Sequence, residues 1–485
     1  GKQVSFTASG AISAAGKPVI LNSAGTVTQA ALSSTTVTQD WQAGTAAGVN
    51  DDKNTTGGSI AWDSADTNKA MIVYERSNTI YGMVATVTGS GTSTSVSFGT
   101  RVALISTSGN LILGFVADPN VAGQFIIFYS VTTTTEQKVA VITFSGATSA
   151  AIGTTQQAWA NGVGGENFYN NLVADPNVSG QFVAIRRLGS GAKTGHVKAM
   201  NLSGDTFTFG SDYVWQTPAS ATEIGGPQIL ASPKDAGIFV VVYADNAADT
   251  YGKARVISLV GTVASTGAAT TFQSNGQSLA QTGAFNKDVS GQFLCMWGGY
   301  YTSGNTNKQW QSSVGTVNTS AKTITFSSVV GLGNDGENVL NGSVVSMGGL
   351  SNIFLANYMV SNKTDASALC QQVATIASGS VTWGTRNVYY SDELVGSGSS
   401  PDLATNEHNL GRTITFFTDY LEIPYANNAF VTDVAGTYSS SNLTATNFIG
   451  VSDAAISSGA SGDITVKGGI AASGLSSLTP AADYY

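Results

Sequence analysis

The sequence predicts an all-β protein: a seven-bladed β-propeller of four-stranded blades, its ring closed by an N-terminal strand, with a small β module built from both termini. Three observations carry that prediction. A ten-residue signature recurs along the chain at a spacing near 57 residues. Two further landmarks keep the same phase, and a copy of the outermost strand stands ahead of the first full repeat. Composition agrees: 11% of the 485 residues are charged, 42% are hydrophobic and 57 are Gly. That profile suits many short strands joined by turns, not a charge-rich disordered chain.

The signature is clearest in Val116-Ala117-Asp118-Pro119-Asn120-Val121-Ala122-Gly123-Gln124-Phe125 and Val173-Ala174-Asp175-Pro176-Asn177-Val178-Ser179-Gly180-Gln181-Phe182. A third copy runs from Ala231 to Phe239 and a fourth from Asp288 to Phe293. Looser copies at Asn68–Ile72, Ser351–Phe354 and Gly411–Ile414 bring the total to seven. The shared Asp-Pro-Asn-x-x-Gly is turn chemistry, because Pro sets φ while Asn and Gly accept positive φ. An alternating strand ending in Gly89, Gly146, Gly204 or Gly261 follows in phase. So does an apolar-Gly-Ser/Thr element at Phe98-Gly99-Thr100, Ile152-Gly153-Thr154, Phe209-Gly210-Ser211 and Trp383-Gly384-Thr385. Each period therefore reads as four short strands, and radial repetition of such units makes a propeller.

Closure is read from Thr36–Gly44, which resembles the outer strands Thr154–Gly162 and Ser211–Gln216, whereas the seventh repeat has no clear outer strand of its own. On this phasing residues 34–442 are the propeller. Residues 1–33 and 443–485, with alternating Lys17–Leu21 and Gly462–Lys467, are the two β segments of the appended module. The chain opens without Met and ends in a strand-like Ala481–Tyr485, so its true termini are expected to lie beyond it.

Composition also excludes classes of function. A net charge of −9 and seven scattered Arg oppose nucleic-acid binding, which needs a basic stripe. Two His and two Cys leave little for transition-metal sites or a disulfide framework, and Cys295 and Cys370 read as buried free thiols. No run reaches the eighteen apolar residues of a spanning helix, so no membrane insertion is expected.

Propellers commonly use the face where the loops after their second and fourth strands gather. Here the second strands exit through Tyr74-Glu75-Arg76, Arg186-Arg187, Tyr243-Ala244-Asp245, Trp297 to Tyr301 and Asp419-Tyr420. Aromatics among Asn, Asp and Gly suit sugars, whose ring stacks while dipoles take the hydroxyls. Tyr300, Tyr301, Tyr420, Arg186 and Arg187 are the resulting ligand-binding candidates. No cofactor is expected unless it is calcium. Asp52, Asn54, Thr56 and Asp63 match the spacing of a twelve-residue calcium loop, with Gly57 at its sixth position; the competing reading is an Asx turn before a blade. His196 and His408 read as surface or blade-contact residues. Gly10 to Pro18 fails the phosphate-loop spacing. The Ser-x-Asp-x-Gly-x-Thr-Trp box of sialidases is absent, so no enzyme is expected.

The blade grammar "ADPNVSGQF", "YGKARVISLVG" and "FGTRV", with the flanks "VSFTASGAISAAGKPVILNSAGTV" and "NFIGVSDAAISSGASGDITVKGGI", resembles repeated segments of virion fibre and other structural proteins of tailed phages, especially marine and cyanobacterial ones. The resemblance covers nearly the whole chain and transfers no catalytic residue. It implies a non-enzymatic tail-fibre or particle-surface component at the virion surface, attaching to host glycans or decorating the particle. Expected partners are other virion proteins and copies of itself, commonly as trimers. The alternatives are a secreted lectin-like bacterial adhesin and a polysaccharide-degrading propeller enzyme.

Overall fold

A computed structural model describes residues 3–12, 15–30, 32–36, 42–43, 47–48, 55–66, 68–89, 94–106, 110–131, 136–146, 148–160, 171–188, 194–217, 224–245, 251–274, 278–300, 308–332, 338–347, 350, 352–361, 367–390, 402–405, 411–419, 426–433, 437–440 and 448–466. Their regular structure is all strand. Seven antiparallel sheets follow one plan, which blade 2 shows well. Strands Asn110–Ala117, Gln124–Val131 and Glu136–Phe144 pair in sequence order. The long third strand then pairs with both halves of an interrupted outer strand, Ala150–Ile152 and Gln156–Trp159. Blades 1, 3, 4, 5 and 6 repeat this plan at 55–106, 172–216, 224–273, 278–331 and 338–390. The first strands of all seven blades contact one another in a closed cycle, blade 7 against blade 1.

The interruption explains the apolar-Gly-Ser/Thr element. It is the point where the outer strand passes the third-to-fourth-strand turn of the next blade. A Cβ at Gly99 would sit 2.0 Å from the Thr148 carbonyl oxygen, and one at Gly210 would sit 2.4 Å from that of Thr262. Only Gly permits that approach. The first turn behaves as its sequence requires, with Gly123, Gly180, Gly237 and Gly291 at φ of +68°, +71°, +70° and +68°.

Blade 7 consists of Asp402–Thr405, Arg412–Asp419 and Ala426–Asp433. Its outer strand comes from the N-terminal segment: Gln42–Ala43 pairs with Thr432 and Asp433, and Ala47–Gly48 pairs with Asn428 and Ala429. Closure by an N-terminal strand is therefore observed, in a corrected register. Alignment on Trp41 places the strand too early. In the sequence its halves flank Gly44-Thr45, as those of blade 2 flank Gly153-Thr154. Trp41 itself lies outside the described residues.

Blade faces pack on blade faces, so second strands are buried on both sides: the burial of Ile238–Asp245 runs through seven successive buried residues. Apolar clusters bridge consecutive blades from blade 7 through blade 1 to blade 6. Between blades 6 and 7 the buried contact is polar: Asn357 Nδ2 donates to Thr415 Oγ1 at 2.7 Å, and Thr432 Oγ1 donates to Gln371 Oε1 at 3.1 Å. Cys295 and Cys370 are buried free thiols.

The chain divides into two compact units, 39–434 and a terminal unit of 1–38 with 435–485. The terminal unit interleaves both ends in one sheet, in the order Gln3–Thr7, Ser461–Val466, Phe448–Ser452, Pro18–Leu21, Val27–Gln29. Ala8, Ile12, Val19, Val27, Ile456 and Ile464 form its core. The repeat phase sets the boundaries at 34 and 442. The pairing of Leu32–Thr36 with Thr437–Ser440 moves them, because it draws both segments into the terminal unit.

Candidate functional site

One residue breaks the internal symmetry of the ring. Six positions after the turn Gly (Asn68 in blade 1, Asn352 in blade 6), the second strand carries Tyr74, Tyr129, Tyr243, Trp297, Tyr358 and Phe417 in six blades. The first five are buried core aromatics. Blade 3 has Arg186 there. Its burial matches theirs at 6% exposure, and it faces His196 across the sheet as Tyr129 faces Lys138 and Tyr243 faces Lys253.

A buried guanidinium needs polar company, and blade 3 supplies it. Arg186 Nη2 donates to Asp212 Oδ2 at 3.1 Å. His196 Nδ1 lies 3.1 Å from the same oxygen, and Trp159 Nε1 of blade 2 donates to Asp212 Oδ1 at 3.0 Å. The guanidinium carbon of Arg186 and the Nζ of Lys198 sit 4.8 and 4.9 Å from the centre of the Trp159 ring, within cation–π range. Lys198 Nζ also donates to the Ala158 carbonyl at 2.6 Å. Asp212 occupies the outer-strand interruption, where blade 2 has Thr155, and its side chain is 32% exposed. The cluster therefore reaches solvent along that edge.

Burial works against ionisation of Asp212, but the Trp159 N–H and the His196 and Arg186 charges outweigh it and hold its carboxyl below the ordinary range. For His196 burial prevails, reinforced by the Arg186 and Lys198 charges, and its pKa falls below the ordinary value despite Asp212. Thr194 Oγ1 lies 2.8 Å from His196 Nε2, so hydroxyl, imidazole and carboxylate stand in the order used by nucleophilic catalysts. Two features oppose that use. Arg186 occupies the Asp212 oxygen that would support an imidazolium, and the surroundings disfavour the imidazolium itself.

The other expected site residues are dispersed. Arg187 follows Arg186 in the strand and so points to the opposite face, where Nη1 donates to the Ile224 carbonyl at 2.5 Å. Tyr300 ends its strand opposite Lys308, while Tyr301, Tyr420 and His408 lie outside the described residues. Tyr74, Tyr243 and Trp297, read as part of a sugar-facing rim, are fully buried instead. They lie in the double-sided packing between blades.

The calcium loop is corrected. Thr55–Trp62 is an eight-residue strand, so Asp63 lies roughly 23 Å along it from Thr56, too far for one coordination sphere. Thr56 stands within that strand, and Asp52 and Asn54 lie outside the described residues. Asp63 is also fully engaged: Oδ1 accepts from the Ala65 and Asp66 N–H groups, both at 2.7 Å, and Oδ2 accepts from Gly123 of blade 2 at 2.5 Å. The Asx-turn reading holds. Among the described residues no three His, Cys, Asp or Glu side chains gather as a metal site would require.

A central cavity of about 650 Å³ opens where the first strands end. Trp62, Phe115, Leu172, Leu230, Phe285 and Val345 give it an apolar wall.

No protein-family model and no curated protein matches the chain. Solved structures do. The BP39L lectin from Burkholderia pseudomallei aligns with a TM-score of 0.53 at 11% identity, covering 80% of this chain and 98% of the lectin. The β-propeller domain of the Trilobed protease from Pyrococcus furiosus aligns at 0.40 and 6% identity, covering 80% and 99%. AofleA from Arthrobotrys oligospora aligns at 0.40 and 10% identity, covering 73% and 90%. The likeness is one of fold. Arg186 was named from the sequence as a strand-exit residue; Trp159, His196, Lys198 and Asp212 were missed as its companions. The legible signal was the one departure from an aromatic position when the seven repeats are aligned.

Proposed function

We propose that this chain is a non-enzymatic carbohydrate-binding propeller carried on the outside of a virion, where it attaches the particle to host-surface glycans. The observation that carries the reading is Arg186. One blade in seven gives up a buried aromatic for a charged cluster that stability alone does not require. A rigid ring holding such a cluster near its loop-bearing face is a binding platform. The virion placement rests on the resemblance of the blade grammar and both flanks to phage structural proteins. In this reading the terminal unit joins the propeller to other virion proteins.

Two measurements test it. Immunogold labelling of the source lysate with antibody to the chain should mark particles, and a glycan array probed with the whole chain should give binding that weakens in Arg186→Tyr. Absence of gold from every particle would remove the virion placement. An array without a bound glycan would remove the carbohydrate reading.

A further inference from the structure

We infer that the junction of blades 2 and 3 is a site for the carboxylate of an acidic sugar, with Arg186 as the group that receives it. This deepens the carbohydrate-binding reading and rests on it. The first ground is unused donor capacity. A guanidinium carries five N–H donors. Nη2 of Arg186 bonds Asp212, while Nε and Nη1 are buried and meet no acceptor among the described residues. Leaving charged donors unpaired away from water is strongly unfavourable, so the site is built for an acceptor that arrives from elsewhere.

The second ground is charge. Asp212, the one carboxylate of the cluster, already faces the donors of Trp159, Arg186 and His196. Against it stand two basic side chains, Arg186 and Lys198, in a chain whose net charge is −9. His196 is held toward its neutral form by burial. The local excess is thus positive where the whole protein is negative, and a neutral hydroxyl does not balance it. A planar carboxylate does, and it matches guanidinium geometry. The Trp159 ring has two cations over it, so it is not a bare platform for stacking a neutral sugar.

The test titrates the full chain with oligogalacturonate, the same oligomer with its carboxyl groups reduced, and a sulfated galactan that carries no carboxyl groups. Arg186→Tyr restores to blade 3 the residue type of the other blades, so a thermal melt at or above that of the wild type shows that it folds. Arg186→Lys keeps the charge without the planar fork. Oligogalacturonate should bind the wild type, at least tenfold more weakly Arg186→Tyr, and with intermediate affinity Arg186→Lys; the reduced oligomer should not bind. Equal binding of reduced and acidic oligomers would overturn the inference and leave carbohydrate binding standing, as would a preference for the sulfated galactan. Uronate binding that survives in Arg186→Tyr would place the site elsewhere. Glu166 is the one acidic residue of the sequence between Ala160 and Asn171; if Glu166→Gln destabilised the wild type but not Arg186→Tyr, it would be the missing acceptor, and the inference would fall. Absence of binding to every glycan would overturn this inference and the function together.

Discussion

Asp175→Asn, a change of one atom in the first turn of blade 3, is expected to cost about 2–3 kcal/mol of stability. Asp175 is 1% exposed, and both carboxylate oxygens face donors. Oδ1 accepts from the Asn177 N–H at 2.9 Å; Oδ2 reaches into blade 4 and accepts from the Gly237 N–H at 2.7 Å. A carboxamide has one oxygen and one NH2, so whichever way it turns, an N–H faces an N–H. Hydrogen bonds to a charged group contribute about 1.5–3 kcal/mol, and an orphaned buried N–H costs about as much. Gly237 does not turn away easily: its φ is +70°, and a Cβ there would stand 2.5 Å from the Leu259 carbonyl oxygen. Asp175→Ala, which loses both bonds, should cost about 3–5 kcal/mol. Urea unfolding followed by Trp fluorescence reads the change as a lower midpoint at constant slope. An Asp175→Asn protein within about 0.5 kcal/mol of the wild type would refute the claim that these carboxylates clasp neighbouring blades.

Asp118, the blade 2 counterpart, should respond with the opposite sign. Burial raises its pKa against the bonds from Asn120 and Val121, so its stabilising contribution is greatest at low pH and is lost as pH rises through the folded value. Asp118→Asn should therefore raise the melting temperature at pH 7, and an equal or lower value would contradict this. Gly99→Ala drives a Cβ into the Thr148 backbone and should destabilise by about 3 kcal/mol; a neutral result in chemical unfolding would show that the outer strand gives way freely. His196, with its pKa lowered by burial, contributes stability above the unfolded pKa of about 6.5 that is lost as pH falls through the folded value. Between pH 7 and 5, His196→Gln should flatten part of the wild-type decline in stability, and parallel curves would refute that assignment.

Much of the ring was legible in the sequence. Asp-Pro-Asn-x-x-Gly marks the first turns because φ preferences are local, and the missing outer strand of the seventh repeat pointed to closure by the N-terminus. The exact closing register was less legible, since Trp41 is a more conspicuous landmark than Gly44-Thr45. The calcium spacing misled because a spacing rule assumes a compact loop, and Thr55–Trp62 is extended. The sugar-facing rim misled where Tyr74, Tyr243 and Trp297 are concerned, because each blade covers the next.

The Arg186 cluster illustrates the remaining gap. Trp159 and Arg186 come from strands of two blades and Asp212 from an outer-strand interruption, and the Trp159–Asp212 bond spans 53 residues. No local pattern connects them. By itself the sequence determined the number of blades, the place of their turns, the strand that closes the ring and the union of the two termini, because repetition, turn chemistry and alternation act over a few residues. The tertiary structure alone decided which side chains meet between blades. Alternation separates one face of a strand from the other, but a propeller buries both faces of its second strands, so only the packing of blade on blade distinguishes an aromatic that fills the core from an arginine set in a polar cluster.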